Sequence, residues 1–312
     1  MASAMFITHL VYTILLFGVN TTSGRGIIHC GLWGIKIFIL LLSFFIFLQL
    51  DFKHMISMFY IGCVCRSIWL IVKGLFIVDK AHRIGESMLR KSEKNPQWLI
   101  WMTLWFIGMN LLSFGMLGYL LYNYEDQLSR YVVLSTMIIV VVIQILSVLP
   151  YVRETNPDSN ITQSSFLGMY LSNIIRTSIT ISPHSVKGIL QEDIKFENFS
   201  RLLSVLLSLI FVCYSAFSTT KNTKKLLLDR EVDQDPPYSL FHAIMTLASA
   251  NMAVIITYFK FPVYDEVEDE YIFEHKLNSG YWINTASVWI IALLYVWTLF
   301  APRILTNRSF AK

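Results

Sequence analysis

"MISMFYIGCVCRSIWLIVKGLFIVDKAHRIGESMLR" occupies residues 55–90. It contains no proline, and its glycines (Gly62, Gly74, Gly85) are isolated. Apolar residues dominate as far as Val78, and charge gathers after it. Nothing here breaks a helix, so the stretch reads as one continuous helix of ~54 Å at ~1.5 Å per residue. A bilayer's hydrocarbon core is only ~30 Å thick. Such a helix has to tilt strongly or project beyond the membrane.

The rest of the chain agrees with a membrane reading. Its 312 residues are 55% hydrophobic and 15% charged, with mean hydropathy +0.55. Soluble domains average about 25% charged. The charges sit in short blocks between apolar runs of about 20 residues, long enough to cross a bilayer as helices. The runs are continuous rather than alternating, which excludes a β-barrel. The expected fold is all-α and polytopic, a single integral membrane domain over 1–312. About nine spans are expected, near 4–20, 28–50, 55–78, 98–122, 131–151, 164–182, 200–217, 239–260 and 281–304. The first starts without the basic residues of a secretory signal, so it reads as a true span. The run 164–182 is the most polar. Cys30, Cys63, Cys65 and Cys213 lie in or beside spans without metal spacing and read as small packing residues.

Lys and Arg gather in cytoplasmic loops. Segments on the N-terminal side hold Lys53, Arg130, Lys187, Lys195, Arg201, Lys260 and Lys276. The opposite side holds twice as many, in blocks at 80–94, 221–230 and 303–312 with Arg25 and Arg153. That orientation puts the N-terminus outside or in a lumen and the C-terminus in the cytosol. The acidic stretch "VYDEVEDEYIFEH" (263–275) then faces outward and reads as a solvated loop, since it lacks EF-hand spacing. Sequons stand at Asn20, Asn160, Asn198 and Asn307. Only Asn198 is lumenal in this topology, so glycosylation of Asn160 would require a different one.

Lys36, Arg66, Lys73 and Arg176 lie within spans, where ionisable residues are costly and default to functional hypotheses. No Asp or Glu sits well inside any span. Arg66, Lys73 and Lys80 are seven apart and share a helix face. Ser172, Asn173 and Arg176 share another, while Asn110, Gln144, His242 and Asn251 add neutral polar groups. One reading has Lys36 snorkelling and the others bonded to carbonyls or water. The other is a polar groove, formed by Arg66, Lys73, Asn173 and Arg176, that meets an anionic group such as a lipid phosphate. Asp79, His82 and Glu86 share a face and read as a solvated helix end. Phe38, Trp69 and Trp101 read as lipid-facing or packing residues. No Walker A loop, nucleophile elbow, H-E-x-x-H or intramembrane carboxylate pair occurs, so neither an enzyme nor ATP-driven transport is expected.

Two C-terminal stretches carry a resemblance. "PPYSLFHAIMTLASANMAVIITYFKF" (236–261) and "SVWIIALLYVWTLFAPRILTNRSF" (287–310) resemble the end of the serine incorporator (Serinc, or TMS membrane protein) family. "IHCGLWGIKI" (28–37), "FIVDKAHRIGE" (76–86) and "NPDSNITQSSFLGMYLSNIIRTSITISP" (156–183) resemble further family segments. Cys30, Arg83, Ile84 and Gly85 depart from the usual pattern. The matching positions are Trp33, Asp79, His82, Glu86, Phe241, His242, Tyr295, Trp297 and Pro302. The chain also reads as lacking the family's first helix and cysteine-rich N-terminus.

The resemblance implies two helical bundles joined by a long tilted helix, for which 55–90 is the natural candidate. It also implies lipid handling by phospholipid scrambling without ATP. Alternatives are a carrier or scaffold supplying serine for phosphatidylserine and sphingolipid synthesis, and a receptor without transport activity. Expected partners are membrane phospholipids, with serine or lipid-synthesis enzymes under the alternative, and no nucleic acid. No cofactor and no metal are expected.

Overall fold

The computed structural model describes residues 2–19, 28, 31, 33–49, 52–124, 126–181, 238–256, 261–265, 270–274 and 278–304. Its helices in chain order are α1 (Ala2–Leu15), α2 (Trp33–Leu48), α3 (Phe52–Lys94), α4 (Gln97–Asn123), α5 (Gln127–Val148), α6 (Pro150–Arg153), α7 (Ile161–Ile181), α8 (Tyr238–Ile256) and α9 (Asn278–Ile304). One antiparallel hairpin, β1 (Phe261–Asp265) with β2 (Glu270–Glu274), pairs Tyr264 with Tyr271 and Asp265 with Glu270. Four helical segments among the described residues are long and apolar enough to cross a membrane: Tyr60–Lys94, Gln97–Asn123, Gln127–Val148 and Gly280–Ile304. The protein is a helical, polytopic integral membrane protein.

The long helix is longer than expected. α3 has 43 residues, or ~65 Å at ~1.5 Å per residue. It ends where Pro96 disfavours helical geometry in the residue before it. Asn95 then accepts a hydrogen bond from the Gln97 amide at 3.0 Å as α4 begins. At the start of α5, Asp126 takes the Ser129 amide at 2.9 Å, a side-chain N-cap.

Other boundaries correct the expectations. The run 131–151 ends as helix at Val148, because Pro150 holds Leu149 extended (ψ 131°) and opens the short α6. The run 4–20 yields 14 helical residues, with Gly18 in the left-handed region (φ 69°) beyond them. Part of the expected acidic loop is the hairpin. The helix read over 239–260 is described to Ile256. The run 200–217, and with it Asn198, lies outside the described residues.

The described residues fall into two compact units, one within 1–69 and 190–276 and the other within 70–189 and 277–312. α3 contributes to both. In the first, α1 packs on α8 and α2. In the second, α7 packs on α4, α5 and α9. This inverts a soluble fold. Apolar side chains such as Trp101, Leu111 and Ile138 are exposed, as lipid permits. The polar helix α7 is instead surrounded by protein, since unsatisfied polar groups are costly in hydrocarbon.

Hydroxyl bonds hold α7 to its neighbours. Ser172 donates to the Gly168 carbonyl at 2.9 Å and so accepts from Ser113 of α4 at 2.6 Å. Ser178 donates to the Tyr281 carbonyl of α9 at 2.7 Å and accepts from Thr285 at 3.0 Å. Close packing adds to them. A Cβ on Gly74 would meet Ile291 Cγ1 of α9 at 2.5 Å, so α3 and α9 approach there only because position 74 has no side chain.

Gly74→Ala should therefore lower thermal stability in detergent by about 1–3 kcal/mol, the usual effect of overpacking. Adding Ile291→Ala should return part of that loss. Two purely additive losses in a double-mutant cycle would contradict the contact.

Candidate functional site

The sequence singled out Arg66, Lys73, Asn173 and Arg176, and they divide between the units. In the first unit Arg66 is 3% exposed and donates from Nη1 to Asn251 Oδ1 of α8 at 2.6 Å. A charge at the centre of a spanning helix costs ~2.5–3.5 kcal/mol on insertion scales. A hydrogen bond to a charged group returns ~1.5–3 kcal/mol, so the amide offsets much of that cost. Sequence reasoning named Asn251 as polar but did not pair it with Arg66, 185 positions away.

The second unit holds the other three. The Lys73 ammonium lies 5.5 Å from the Tyr170 ring centroid, within cation–π range. One turn along α7 from Tyr170 is Asn173, whose Oδ1 accepts from Arg176 Nη2 at 3.2 Å. Lys73, Asn173, Arg176, Thr177 and Thr180 are each half-buried, while Leu171, Ser172, Ile175, Ser178 and Ile179 are buried. The spacing of 173, 176, 177 and 180 is that of one helix face. Asn173, Arg176 and two threonines therefore line a half-open polar face of α7, and Lys73 lies against Tyr170 one turn before Asn173. Tyr170 and the threonines were not singled out from sequence. Their signal was the helical period of polar residues through α7.

The family-type positions meet at two places. His82 turns inward, stacking on Tyr295 with centroids 5.6 Å apart and planes inclined by 29°. Its Nε2 lies 3.1 Å from Thr298 Oγ1. Thr298 donates to the Tyr295 carbonyl at 2.7 Å, so its hydroxyl accepts from His82, which puts a proton on Nε2. Tyr295 is fully buried, and its hydroxyl donates to Ser147 at 2.9 Å, because Ser147 gives its own proton to the Ile143 carbonyl. Gly85, beside His82, has no room for a Cβ against Gln163 and Asn160. Asn160 in turn caps α7, accepting from the Thr162 and Gln163 amides at 3.1 and 3.3 Å. This sequon is thus buried and engaged.

Asp79 and Glu86 do not join His82 as a ligand set. Each pairs with an arginine one turn on, Asp79 with Arg83 at 2.8 Å and Glu86 with Arg90. Among the described residues no cluster of three or more His, Cys, Asp or Glu could hold a metal ion. At the end of α9, Pro302 cannot donate to the Thr298 carbonyl. Arg303 follows, 3.5 Å from the Tyr151 ring centroid and 3.2 Å from the Tyr151 carbonyl. Trp297 is 49% exposed. Phe38 and Trp101 are exposed as well, whereas Trp69 is buried.

The second meeting place is in the first unit. His242 Nδ1 lies 3.0 Å from Nδ1 of His9 on α1, and Phe241 makes an edge contact with the His242 ring at 5.2 Å. His9 carried no sequence signal. Trp33 is the first residue of α2.

A helical membrane protein with buried amide and hydroxyl clamps and one half-open basic strip is the class these features define. The sequence profile of the family described as Serine incorporator (Serinc) matches residues 1–237 and 230–308. The chain belongs to that family. It is 27% identical to serine incorporator 3 of Bos taurus, over 99% of this chain and 78% of that protein. It is 22% identical to a probable serine incorporator of Nematostella vectensis, over 97% and 77%. It is also 22% identical to membrane protein TMS1 of Saccharomyces cerevisiae, over 96% and 77%. These relatives are named as incorporators or membrane proteins rather than as enzymes.

If Asn251 answers the Arg66 charge, Asn251→Leu should lower the melting temperature by the equivalent of about 1–3 kcal/mol. Asn251→Asp, which keeps an acceptor and adds a charge, should be tolerated better. Equal losses for both variants, measured by thermal unfolding in one detergent, would remove the interaction.

Proposed function

We propose that this protein moves phospholipids between leaflets without ATP, their headgroups travelling along the strip of Lys73, Asn173, Arg176, Thr177 and Thr180. One observation carries the reading: on a helix otherwise packed in protein, the face left half-open is basic and hydroxylated. Two cations within membrane-length helices cost several kcal/mol, at about 2.5–3.5 each on insertion scales. A passing lipid phosphate is an anion that offsets that cost, with Arg176 offering a planar fork and Lys73 a point charge. Arg66 has a structural part in this reading, because Asn251 already holds it.

The partners proposed are membrane phospholipids. A role in supplying serine, directly or with lipid-synthesis enzymes, is the alternative that the relatives' name favours. An enclosed serine site is often built from paired broken helices at the midplane, whereas α3 runs unbroken. The proposed orientation has the N-terminus outside or lumenal and the C-terminus cytosolic, from the excess of Lys and Arg.

The test is fluorescent-lipid bleaching in proteoliposomes holding the pure protein. Lys73→Leu with Arg176→Leu should slow flipping about tenfold or more, the effect of losing about 1.4 kcal/mol at the barrier. Wild-type flipping no faster than empty vesicles would reject scrambling. Unchanged rates in the double variant would reject the strip.

A further inference from the structure

The half-open face of α7 is polar over only part of its length. At helical spacing back from Asn173, the next half-buried positions are Met169 and Phe166, and beyond them Thr162 is fully buried. From Asn173 to Phe166 is about 10 Å along the axis at ~1.5 Å per residue. The polar part therefore runs from the middle of the helix to its C-terminal end. The remainder of the same face is apolar.

α4 covers that apolar part. The half-buried Trp105 ring stacks on Phe166, with centroids 6.2 Å apart and planes inclined by 29°. Its Nε1–H is buried and meets no acceptor among the described residues. Polar groups do lie at this level, but on the far side of α7. Gln144 donates to Asn110 at 2.6 Å, and its Nε2 is 3.7 Å from where a Cβ on Gly168 would stand. Gly168 is two residues from Phe166, about 200° round the helix, so that pair serves the closed side.

We propose that Met169 and the Phe166–Trp105 stack are the gate of the lipid path, the place where a headgroup meets its highest barrier. The inference rests on the reading that headgroups follow this face of α7. A headgroup moving on from Asn173 leaves its polar partners behind, and a polar or charged group without them is costly in apolar surroundings. Apolar constrictions control passage through channels by the same physics.

The stack also has a reason to part. A buried N–H without an acceptor disfavours the closed arrangement. Once Trp105 swings off Phe166, that N–H can donate to a phosphate oxygen of the passing headgroup. Opening the gate then exchanges an unsatisfied donor for a charge-assisted hydrogen bond. The barrier is set by the apolar side chains themselves, so making them polar at constant size lowers it.

The experiment is fluorescent-lipid bleaching with the full-length protein in proteoliposomes. Met169→Gln keeps the side chain's length and Phe166→Tyr keeps the ring. Together they should flip lipid about tenfold faster than Met169→Leu with Phe166→Leu, a change equivalent to about 1.4 kcal/mol at the barrier. Each single polar variant should outpace the corresponding leucine variant, which carries the test if a double variant fails to fold. Equal rates in the polar and leucine variants overturn the proposal, including equal acceleration, which loosened packing alone would give. An active wild type with no gain in the polar variants removes the gate and leaves the path. A wild type no faster than empty vesicles, with flipping that emerges only in the polar variants, supports the gate. No flipping in any variant removes both.

Discussion

A buried guanidinium in a membrane-length helix has to be answered from within the protein, because hydrocarbon offers nothing to bond. Arg66 is answered by Asn251 at 2.6 Å, and the same constraint runs through the second unit. Its central helix carries buried Thr162, Ser164, Ser165, Ser172 and Ser178. Ser113–Ser172, Ser178–Thr285 and Ser147–Tyr295 are all buried hydroxyl pairs between helices. Each such bond in a membrane averages only ~0.6 kcal/mol in double-mutant cycles. Their combined role is register: they set which faces of α4, α5, α7 and α9 meet.

Register in turn decides what is left open. With 172, 175, 178 and 179 turned into protein, the helical period leaves 173, 176, 177 and 180 on the remaining face. The strip is thus a consequence of the clamps. Gly74 and Gly85 act similarly on α3, one admitting Ile291 and the other Asn160 and Gln163. Packing at Gly85 keeps the α7 cap beside His82, so the start of the polar helix is held by the long one.

Much of the fold was legible because membrane helices are written in local terms. Hydropathy located the runs, and the missing prolines over 55–90 announced the long helix, whose end Pro96 marks. Pro150 also shortened its run, a local signal that span length alone overrode. What stayed hidden was distant pairing. Arg66 with Asn251 and His9 with His242 are separated by 185 and 233 positions, and no periodicity links them. The split of Asp79, His82 and Glu86 was hidden too. Spacing put all three on one helix end, but Arg83 and Arg90 draw the carboxylates outward while Thr298 and Tyr295 draw the imidazole inward. The hairpin at 261–274 was masked by its acidic composition, which reads as solvated loop.

α7 has one face closed in protein and one half-open face, the one proposed to meet lipid headgroups. Cysteine scanning of residues 171–180, with the natural cysteines replaced, tests it directly using a membrane-impermeant thiol reagent on intact membranes. Labelling is expected at 173, 176, 177 and 180 and protection at 171, 172, 174, 175, 178 and 179. Labelling spread evenly along α7, or confined to the positions described as buried, would contradict it.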